Sequence, residues 1–309
     1  MMQLRRRITE YIAANAMLLA TLFSGAIVLG MGGALLFRSW PLFSTFGIMN
    51  VVFGSHWSPS TGSFGFGPFI IGTLWVTGLA TLLAVPACVL AAIFLAEYAG
   101  PKTRAVIKPL IDLLSGIPSV VYGVWGMLVV VPFIANVVGP YAAQHWKNIP
   151  FLSVENTTGF GILAGALVLA IMIAPVIVTI ADEVLRAVPQ DVREVSYALG
   201  ATKFETIMRV VARKALPGLV AAVVMGVSRA LGETMAVLMV VGNVAHIPKS
   251  VFDPAYPLPA LIANNYGEMM SIPLYDSALL AASLLLLLMV LGFNLLAQVA
   301  LRHALRRAA

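Results

Sequence analysis

The chain has 309 residues, of which 60% are hydrophobic and only 10% are charged, and its mean hydropathy is +0.96. Soluble globular proteins carry roughly 25% charged residues, so this composition excludes a soluble globular chain and indicates a polytopic membrane protein. The net charge of +6 raises the alternative of a nucleic-acid partner, which the positions of the charges can test.

Six apolar segments are long enough to cross a bilayer, which takes about 20 mostly apolar residues. They cover residues 12–37, 68–96, 110–138, 159–181, 217–242 and 277–300. The first follows three arginines, as a signal peptide would. It is longer than the roughly 7–15 apolar residues of a signal peptide, and no small-residue cleavage site stands out. We therefore predict an all-α membrane protein with six transmembrane helices in one domain of residues 1–309.

Lysine and arginine predict the orientation, because they are concentrated on the cytoplasmic side of membrane proteins. With the N-terminus inside, fifteen of these residues lie in the cytoplasm and one, Arg229, lies within a span. Three lie outside: Arg38, Lys147 and Lys249. This distribution places both termini in the cytoplasm. It also explains the basic net charge by anionic lipid headgroups and argues against a nucleic-acid partner.

Two long segments are predicted to lie outside the membrane. Residues 38–67 are rich in glycine, serine and aromatic residues, and residues 243–276 hold five prolines, which exclude one continuous helix there. Exposed aromatic loops favour either a docking surface for another protein or an aromatic belt at the membrane interface, and the sequence leaves both open.

The cytoplasmic loop of residues 182–217 carries signals for two short helices. Asp191 and Glu194 follow Pro189 at the spacing of a helix start, and Gly200 can end that helix in the left-handed conformation. Thr202 and Glu205 then form a T-x-x-E capping box, which predicts a second helix. Pro217 marks the turn into the fifth span. The two helices either lie on the membrane surface or form a lever that fits a cytoplasmic partner.

The same loop resembles a known coupling element. Its sequence VPQDVREVSYALGATKFETIMRVV is similar to the EAA loop of ABC importer permeases, which couples the membrane subunit to its ATPase. The chain departs from that motif at Val195-Ser196 and at Ala212-Arg213, where the family usually has a small pair and Leu-Pro. The resemblance implies a set of candidate coupling residues: Glu194, Ala198, Gly200, Thr202 and Glu205.

The fifth span contains two opposite charges, Arg229 and Glu233, in the sequence SRALGETMAVLMVVGN. Each unpaired charge at mid-membrane costs about 2.5–3.5 kcal/mol on the insertion scale. Their i, i+4 spacing would let them meet on one helix face. Either they hold helices together, or Arg229 faces a polar path and receives an oxyanion, for which its planar fork is well suited. In the second interpretation Glu233 keeps the empty site neutral and favours release, and Ser228 and Thr234 also line the path.

A second resemblance comes from the spans themselves. The stretches GTLWVTGLATLLAVP, GIPSVVYGVWG and SRALGETMAVLMVVGN are similar to the PstC-type permeases of bacterial phosphate importers. The resemblance covers most of residues 68–243, and residues outside it match the family mainly in layout. It implies the six-helix fold of type I ABC importer permeases, and it marks Arg229 and Glu233 as important for phosphate passage.

The family also implies partners and a location. A related PstA-type permease completes the pathway, two cytoplasmic PstB-type ATPase subunits bind ATP and Mg²⁺, and an outer PstS-type protein delivers inorganic phosphate. The chain would span the bacterial inner membrane, bind no cofactor itself and act as a transporter subunit without enzymatic activity. Its sequence contains no G-K-[ST] phosphate loop, and its single cysteine and four scattered histidines show no metal-binding spacing.

Two serines near the start of the third span are further candidate residues of the path. Ser115 and Ser119 are candidates to line it, because Gly116 and Pro118 interrupt the start of this span.

The sequence leaves three alternative functions to a phosphate permease. They are a permease for another oxyanion such as sulfate or molybdate, an autonomous channel or proton-coupled carrier, and a membrane scaffold whose charged pair is structural.

Overall fold

The computed structural model describes residues 2–146, 149–268 and 272–308, with side chains from residue 10 to residue 302. The regular secondary structure of this part of the chain is helical apart from one small hairpin, in which β1 (Trp57–Ser58) pairs antiparallel with β2 (Ser63–Phe64). The helices are α1 Met2–Phe46, α2 Ile48–Phe53, α3 Gly67–Tyr98, α4 Pro101–Ser115, α5 Ser119–His145, α6 Ile162–Arg186, α7 Gln190–Ala198, α8 Lys203–Leu231, α9 Met235–Leu238, α10 Leu258–Asn265 and α11 Tyr275–Ala308.

Six of these helices are long and apolar enough to cross a membrane, which confirms the prediction of a six-span, all-α membrane protein. The membrane-compatible stretches are Glu10–Phe46, Gly67–Tyr98, Ser119–His145, Ile162–Arg186, Lys203–Leu231 and Tyr275–Arg302. Most of α6 is buried, whereas the apolar stretch of α1 is exposed on the surface of this chain. The helices α3, α5 and α8 pack against α6, whereas α1 packs on α11.

Small residues bring α8 close to α6. A Cβ atom at Gly226 would lie 2.5 Å from Ile177 Cγ1, and one at Gly218 would lie 2.3 Å from Val184 Cγ1. Because the residue numbers rise along α8 as they fall along α6, the two helices are antiparallel. Glycine at these positions permits the close backbone approach that stabilises helix pairs in membranes.

A second core lies at the end of the molecule that carries the hairpin. The Trp57 ring packs against Phe64, Phe66 and Phe69, with ring centroids 5.1–5.6 Å apart. Tyr275 at the start of α11 is fully buried in the same cluster. Aromatic residues of the first outer loop, which the sequence left as an exposed docking surface or an interfacial belt, thus form a packed core. Methionine and phenylalanine side chains of α2 remain exposed.

Two of the sequence-based spans have different limits in the structure. The third, placed at 110–138, is divided: α4 ends at Ser115, and α5 begins at Ser119 because Pro118 disfavours helix at the residue before it. The fifth, placed at 217–242, ends as a helix at Leu231. Its start also differs, because Pro217 lies inside α8 and marks no turn.

Candidate functional site

The two interruptions in the spans lie at similar depth. Gly226 of α8 opposes Ile177, and Gly126 of α5 opposes Val168. At 1.5 Å of rise per residue, Arg229 is level with about residue 174 of α6, and Ser119 with about residue 175. Both are near the middle of α6, which spans Ile162–Arg186. The chain therefore has two non-helical backbone segments, residues 116–118 and 232–234, close to the centre of its transmembrane region.

The two interruptions also adjoin each other. After the second one, the short helix α9 packs on α5, where a Cβ atom at Gly123 would lie 2.7 Å from Met239 Sδ and 3.1 Å from Ala236 Cα. The Tyr122 hydroxyl of α5 donates to the Leu114 carbonyl of α4 at 2.8 Å, across the first interruption. Discontinuous helices whose broken backbone meets at mid-depth are typical of substrate sites in transporters.

Arg229 and Glu233 do not form the ion pair that their spacing suggested, although both side chains lie within the described residues. The helix ends between them at Leu231, so the i, i+4 geometry of a continuous helix does not extend to Glu233. Glu233 instead accepts a hydrogen bond from the Ala236 backbone N–H at 3.3 Å, at the start of α9. Arg229 is exposed on the surface of this chain.

The hydroxyl groups predicted to line the path divide into two kinds. Ser228 donates to Asn294 Oδ1 of α11 at 3.2 Å, which joins two transmembrane helices. Ser115 donates to the Asp112 carbonyl of its own helix at 2.7 Å. Thr234, in the second interruption, donates to the Gly232 carbonyl at 3.3 Å, and Ser119 begins α5 and is half-buried. Ser115, Ser119 and Thr234 thus border or lie within the interruptions, whereas Ser228 links α8 to α11.

A cavity of about 570 Å³ opens beside the far end of the broken span, toward the hairpin end of the molecule. Its walls include the end of α9 and the left-handed residues Gly242 and Asn243. Thr158 and Asn156 contribute polar groups to the opposite wall. The cavity therefore lies beside residues 238–244, which follow the second interruption in the chain.

The predicted capping box and glycine turn are both present at the other end of the molecule. Gly200 has a φ of +86°, and the Thr202 side chain accepts from the Glu205 backbone N–H at 3.3 Å. The Glu205 carboxylate accepts from the Thr202 N–H at 3.0 Å. We call residues 190–211, which comprise α7, the Gly200 turn and the first turns of α8, the elbow.

The elbow differs from the prediction in one respect. Its second helix is not short, because it continues without interruption into the membrane as α8. Arg193 and Ser196 are buried on α7, whereas the apolar side chains of Val195 and Leu199 are 60% and 84% exposed. On α8, Phe204 is 65% exposed. Among the predicted coupling residues, Glu194 and Ala198 are exposed on α7.

Four charged residues that the sequence did not single out form two ion pairs. Arg104 of α4 donates to Asp182 Oδ2 of α6 at 2.5 Å, and Arg193 of α7 donates to Glu97 Oε1 of α3 at 2.7 Å. Glu97 and Asp182 stand just past the ends of predicted apolar segments. The sequence therefore placed them in loops, although both are charges at the edge of the apolar region. Among the described residues, no group of three or more His, Cys, Asp or Glu side chains could hold a metal ion.

Comparisons with known proteins agree with this architecture. Residues 88–309 match the family model described as "Binding-protein-dependent transport system inner membrane component". The phosphate transport system permease protein PstC of Mesorhizobium japonicum is 38% identical over 287 residues, covering 92% of this chain and 85% of that protein. The probable ABC transporter permease protein YqgH of Bacillus subtilis is 41% identical over 243 residues, covering 78% and 74%.

Two solved structures are similar in fold. A chain of a bacterial alginate ABC transporter, in complex with a periplasmic protein bound to an alginate pentasaccharide, superposes with a TM-score of 0.61. Its sequence identity is 18%, and the match covers 94% of each chain. A chain of the MetNI methionine ABC transporter in an inward-facing conformation gives a TM-score of 0.56 at 21% identity, covering 75% of this chain and 92% of that one.

Proposed function

The chain belongs to the family of binding-protein-dependent transport system inner membrane components and has the type I ABC importer permease fold, and from these we propose that it admits inorganic phosphate through a bacterial inner membrane. In this proposal it is a PstC-type permease subunit and forms half of the pathway. A related PstA-type permease forms the other half, two PstB-type subunits hydrolyse ATP in the cytoplasm, and a PstS-type protein delivers phosphate from outside. Both termini then lie in the cytoplasm.

The position of Arg229 is the observation that carries the proposal. It is exposed on this chain, near mid-depth, and outside every ion pair among the described residues. A charged side chain at the membrane centre costs about 2.5–3.5 kcal/mol against lipid, so this face requires a polar environment. A guanidinium supplies two parallel hydrogen bonds to a phosphate and keeps its charge at every physiological pH.

The backbone interruptions support a pathway along the same face. Irregular backbone is tolerated at membrane depth where it lines an aqueous cavity or is covered by protein. Residues 232–234 adjoin Arg229, and the exposed side chains of α5 and α9 extend that surface. A second permease on this surface would enclose a path between the two subunits. Glu233, held at the start of α9, would oppose tight binding of an anion and so favour its release.

The elbow supports the second part of the proposal, a contact with the ATPase subunits. It presents the exposed apolar side chains of Val195, Leu199 and Phe204, at the end of the molecule opposite the hairpin. Such a protruding apolar surface suits a docking site for a protein partner. ATP and Mg²⁺ belong to that partner in this proposal, and the conformational change of its ATP cycle reaches α8 directly because the first turns of α8 are part of the elbow.

The test is uptake of phosphate by the complete complex in proteoliposomes. Removing one charged hydrogen-bonding group costs about 1.5–3 kcal/mol, so we expect R229A to lower uptake roughly 10- to 150-fold. R38A is the control, because Arg38 is an exposed arginine whose ion pair to Asp276 spans 3.8 Å. Wild-type uptake by an assembled R229A complex would contradict the anion path.

Three further measurements separate the alternatives. Competition by sulfate or molybdate in the presence of the binding protein would reassign the cargo to another oxyanion. Phosphate flux through the purified chain alone, without ATPase subunits, would indicate an autonomous channel or carrier. Intact transport by R229A with lowered thermal stability would indicate a structural role for this charge.

A further inference from the structure

Arg193 fixes the elbow to two transmembrane helices at once. Its Nη2 donates to Glu97 Oε1 at 2.7 Å and to the Leu185 carbonyl at 3.0 Å. Its Nη1 donates to the Val188 and Pro189 carbonyls. The side chains of Arg193 and Glu97 are only 10% and 7% exposed. One guanidinium on α7 therefore binds both the end of α6 and the end of α3, although Glu97 of α3 is 96 residues away from Arg193 in the sequence.

The carboxylate has a role in this arrangement that the carbonyls do not fill. Backbone carbonyls at and just beyond the end of α6 accept three hydrogen bonds from Arg193, and the helix dipole contributes only a partial negative charge. Glu97 supplies the full opposite charge that a buried guanidinium requires. It lies in the π-helical turn Phe94–Tyr98, a widened turn of a kind that often marks functional positions.

Tyr98, which follows Glu97 on α3, contacts the second helix of the elbow, α8. The Lys203 ammonium, at the start of α8, lies 4.5 Å above the centre of the Tyr98 ring. Across the Gly200 turn, the Ser196 and Thr206 hydroxyls are hydrogen-bonded at 2.9 Å in a buried contact. Glu97 and Tyr98 at the end of α3 thus contact α7 and α8 respectively, and α7 and α8 also contact each other.

The end of α3 continues into the part of the chain that leads to the candidate site. α4 begins at Pro101, is held to α6 by the Arg104–Asp182 pair and ends at the first backbone interruption. A displacement of the elbow can therefore reach residues 116–118 through α3 and α4, as well as Arg229 through α8. Without the Glu97 contact, α7 would lose its ion pair to α3, while the Arg193 bonds to the carbonyls at the end of α6 and the Ser196–Thr206 contact with α8 would remain.

We propose that Glu97 is a positioning residue for coupling: through Arg193 it ties the elbow to α3, so that ATPase-driven motion moves both interrupted spans together. The proposal rests on the proposed function, since it assigns the elbow to an ATPase partner. Its mechanism is mechanical, so it concerns the response of ATP hydrolysis to the outer partner and makes no claim on the affinity for the transported ion.

The test uses the complete complex in liposomes, with ATP hydrolysis measured in the presence and absence of phosphate-loaded binding protein. In E97Q we expect the stimulation of hydrolysis per assembled complex to fall roughly fivefold or more, the size of effect seen for residues within a coupling network. R193K keeps the charge but loses the fork that reaches several acceptors, so we expect an intermediate loss of stimulation.

The matched control is E183Q, which makes the same chemical change in an exposed carboxylate 3.8 Å from Lys108. Exposed ion pairs contribute little, so its stimulation is expected to stay within about twofold of wild type. This comparison separates the loss of a particular contact from the loss of one negative charge at that end of the molecule.

Wild-type stimulation in an assembled E97Q complex would overturn the proposal. An equal loss of basal and stimulated hydrolysis would overturn it too, because a general weakening of the complex acts on both. If E97Q does not assemble, R193K decides by the same criteria. A wild-type complex that is stimulated but takes up no phosphate would contradict only the proposed cargo, and the comparison with E97Q would still decide the role of Glu97.

Discussion

Gly126 is the position where the packing of α5 can be tested most directly. A Cβ atom there would lie 2.5 Å from Val168 Cγ2 and 3.0 Å from Val240 Cγ1. Carbon atoms in contact prefer about 3.5–4.0 Å, so G126A creates an overlap of roughly 1 Å. Both valines are fully buried and β-branched, which leaves them little rotamer freedom to move aside. α5 must therefore shift away from α6 and from the residues after α9.

The expected cost of that overlap is about 1–3 kcal/mol, the range for overpacking in a close-packed core. Alanine also favours helix over glycine by about 0.8–1.0 kcal/mol, which would partly hide the overlap. G78A is the matched control because it carries the same propensity gain on α3, and a Cβ atom at Gly78 meets no atom within 4 Å. The difference in free energy of unfolding between the two variants then isolates the overpacking.

The assay is thermal or denaturant unfolding of the purified complex, combined with phosphate uptake. We expect G78A to be neutral or stabilising and G126A to be destabilised relative to it. V168A added to G126A should recover stability, with a favourable interaction energy of about 0.5–3 kcal/mol in the double-mutant cycle. If G126A and G78A unfold alike, or if V168A brings no recovery, the close approach of α5 and α6 is not what requires glycine at this position.

Two further predictions concern the elbow and the α4–α6 contact. At Gly200, φ is +86° and a Cβ atom meets nothing within 4 Å, so a side chain costs only backbone strain, roughly 1–2 kcal/mol for an ordinary residue and less for asparagine. We expect G200V to abolish the response of ATP hydrolysis to loaded binding protein and G200N to retain most of it; equal behaviour of the two would show that the left-handed turn does not matter. D182N leaves Arg104 without its carboxylate, and losing one partner of a buried pair costs about 3–5 kcal/mol. The unfolding temperature should fall in D182N and recover in D182N/R104M, and no recovery would argue against an electrostatic origin.

The six-helix architecture followed from the sequence because spans are encoded locally. A bilayer requires about 20 apolar residues in a row, and such runs can be read without knowledge of their neighbours. The Thr202–Glu205 capping box and the left-handed Gly200 are local in the same sense. The two capping residues are three positions apart, and the turn at Gly200 depends on the φ angle of that one residue. The positive-inside count uses the same local information, and the orientation it gives remains a prediction.

The position of Arg229 illustrates the limit of local information. Its depth and cost could be estimated from the sequence, but its pairing with Glu233 assumed a helix that continues to residue 242. Gly232, which follows Leu231, is compatible with a helix end, but the apolar residues after it are equally compatible with a continuation of the same transmembrane helix. Packing of α9 on α5 decides where the helix stops, and this depends on Gly123 in a distant segment.

The sequence by itself determined which segments enter the membrane, where a charge is carried into it, and how the elbow turns, because each depends on residues a few positions apart. The tertiary structure alone decided which charges meet. Glu97 and Arg193 are 96 residues apart, and Arg104 and Asp182 are 78 apart, and no helical or strand periodicity relates residues at such separations. Only the packing of α3, α4 and α7 around α6 brings these groups within hydrogen-bonding distance.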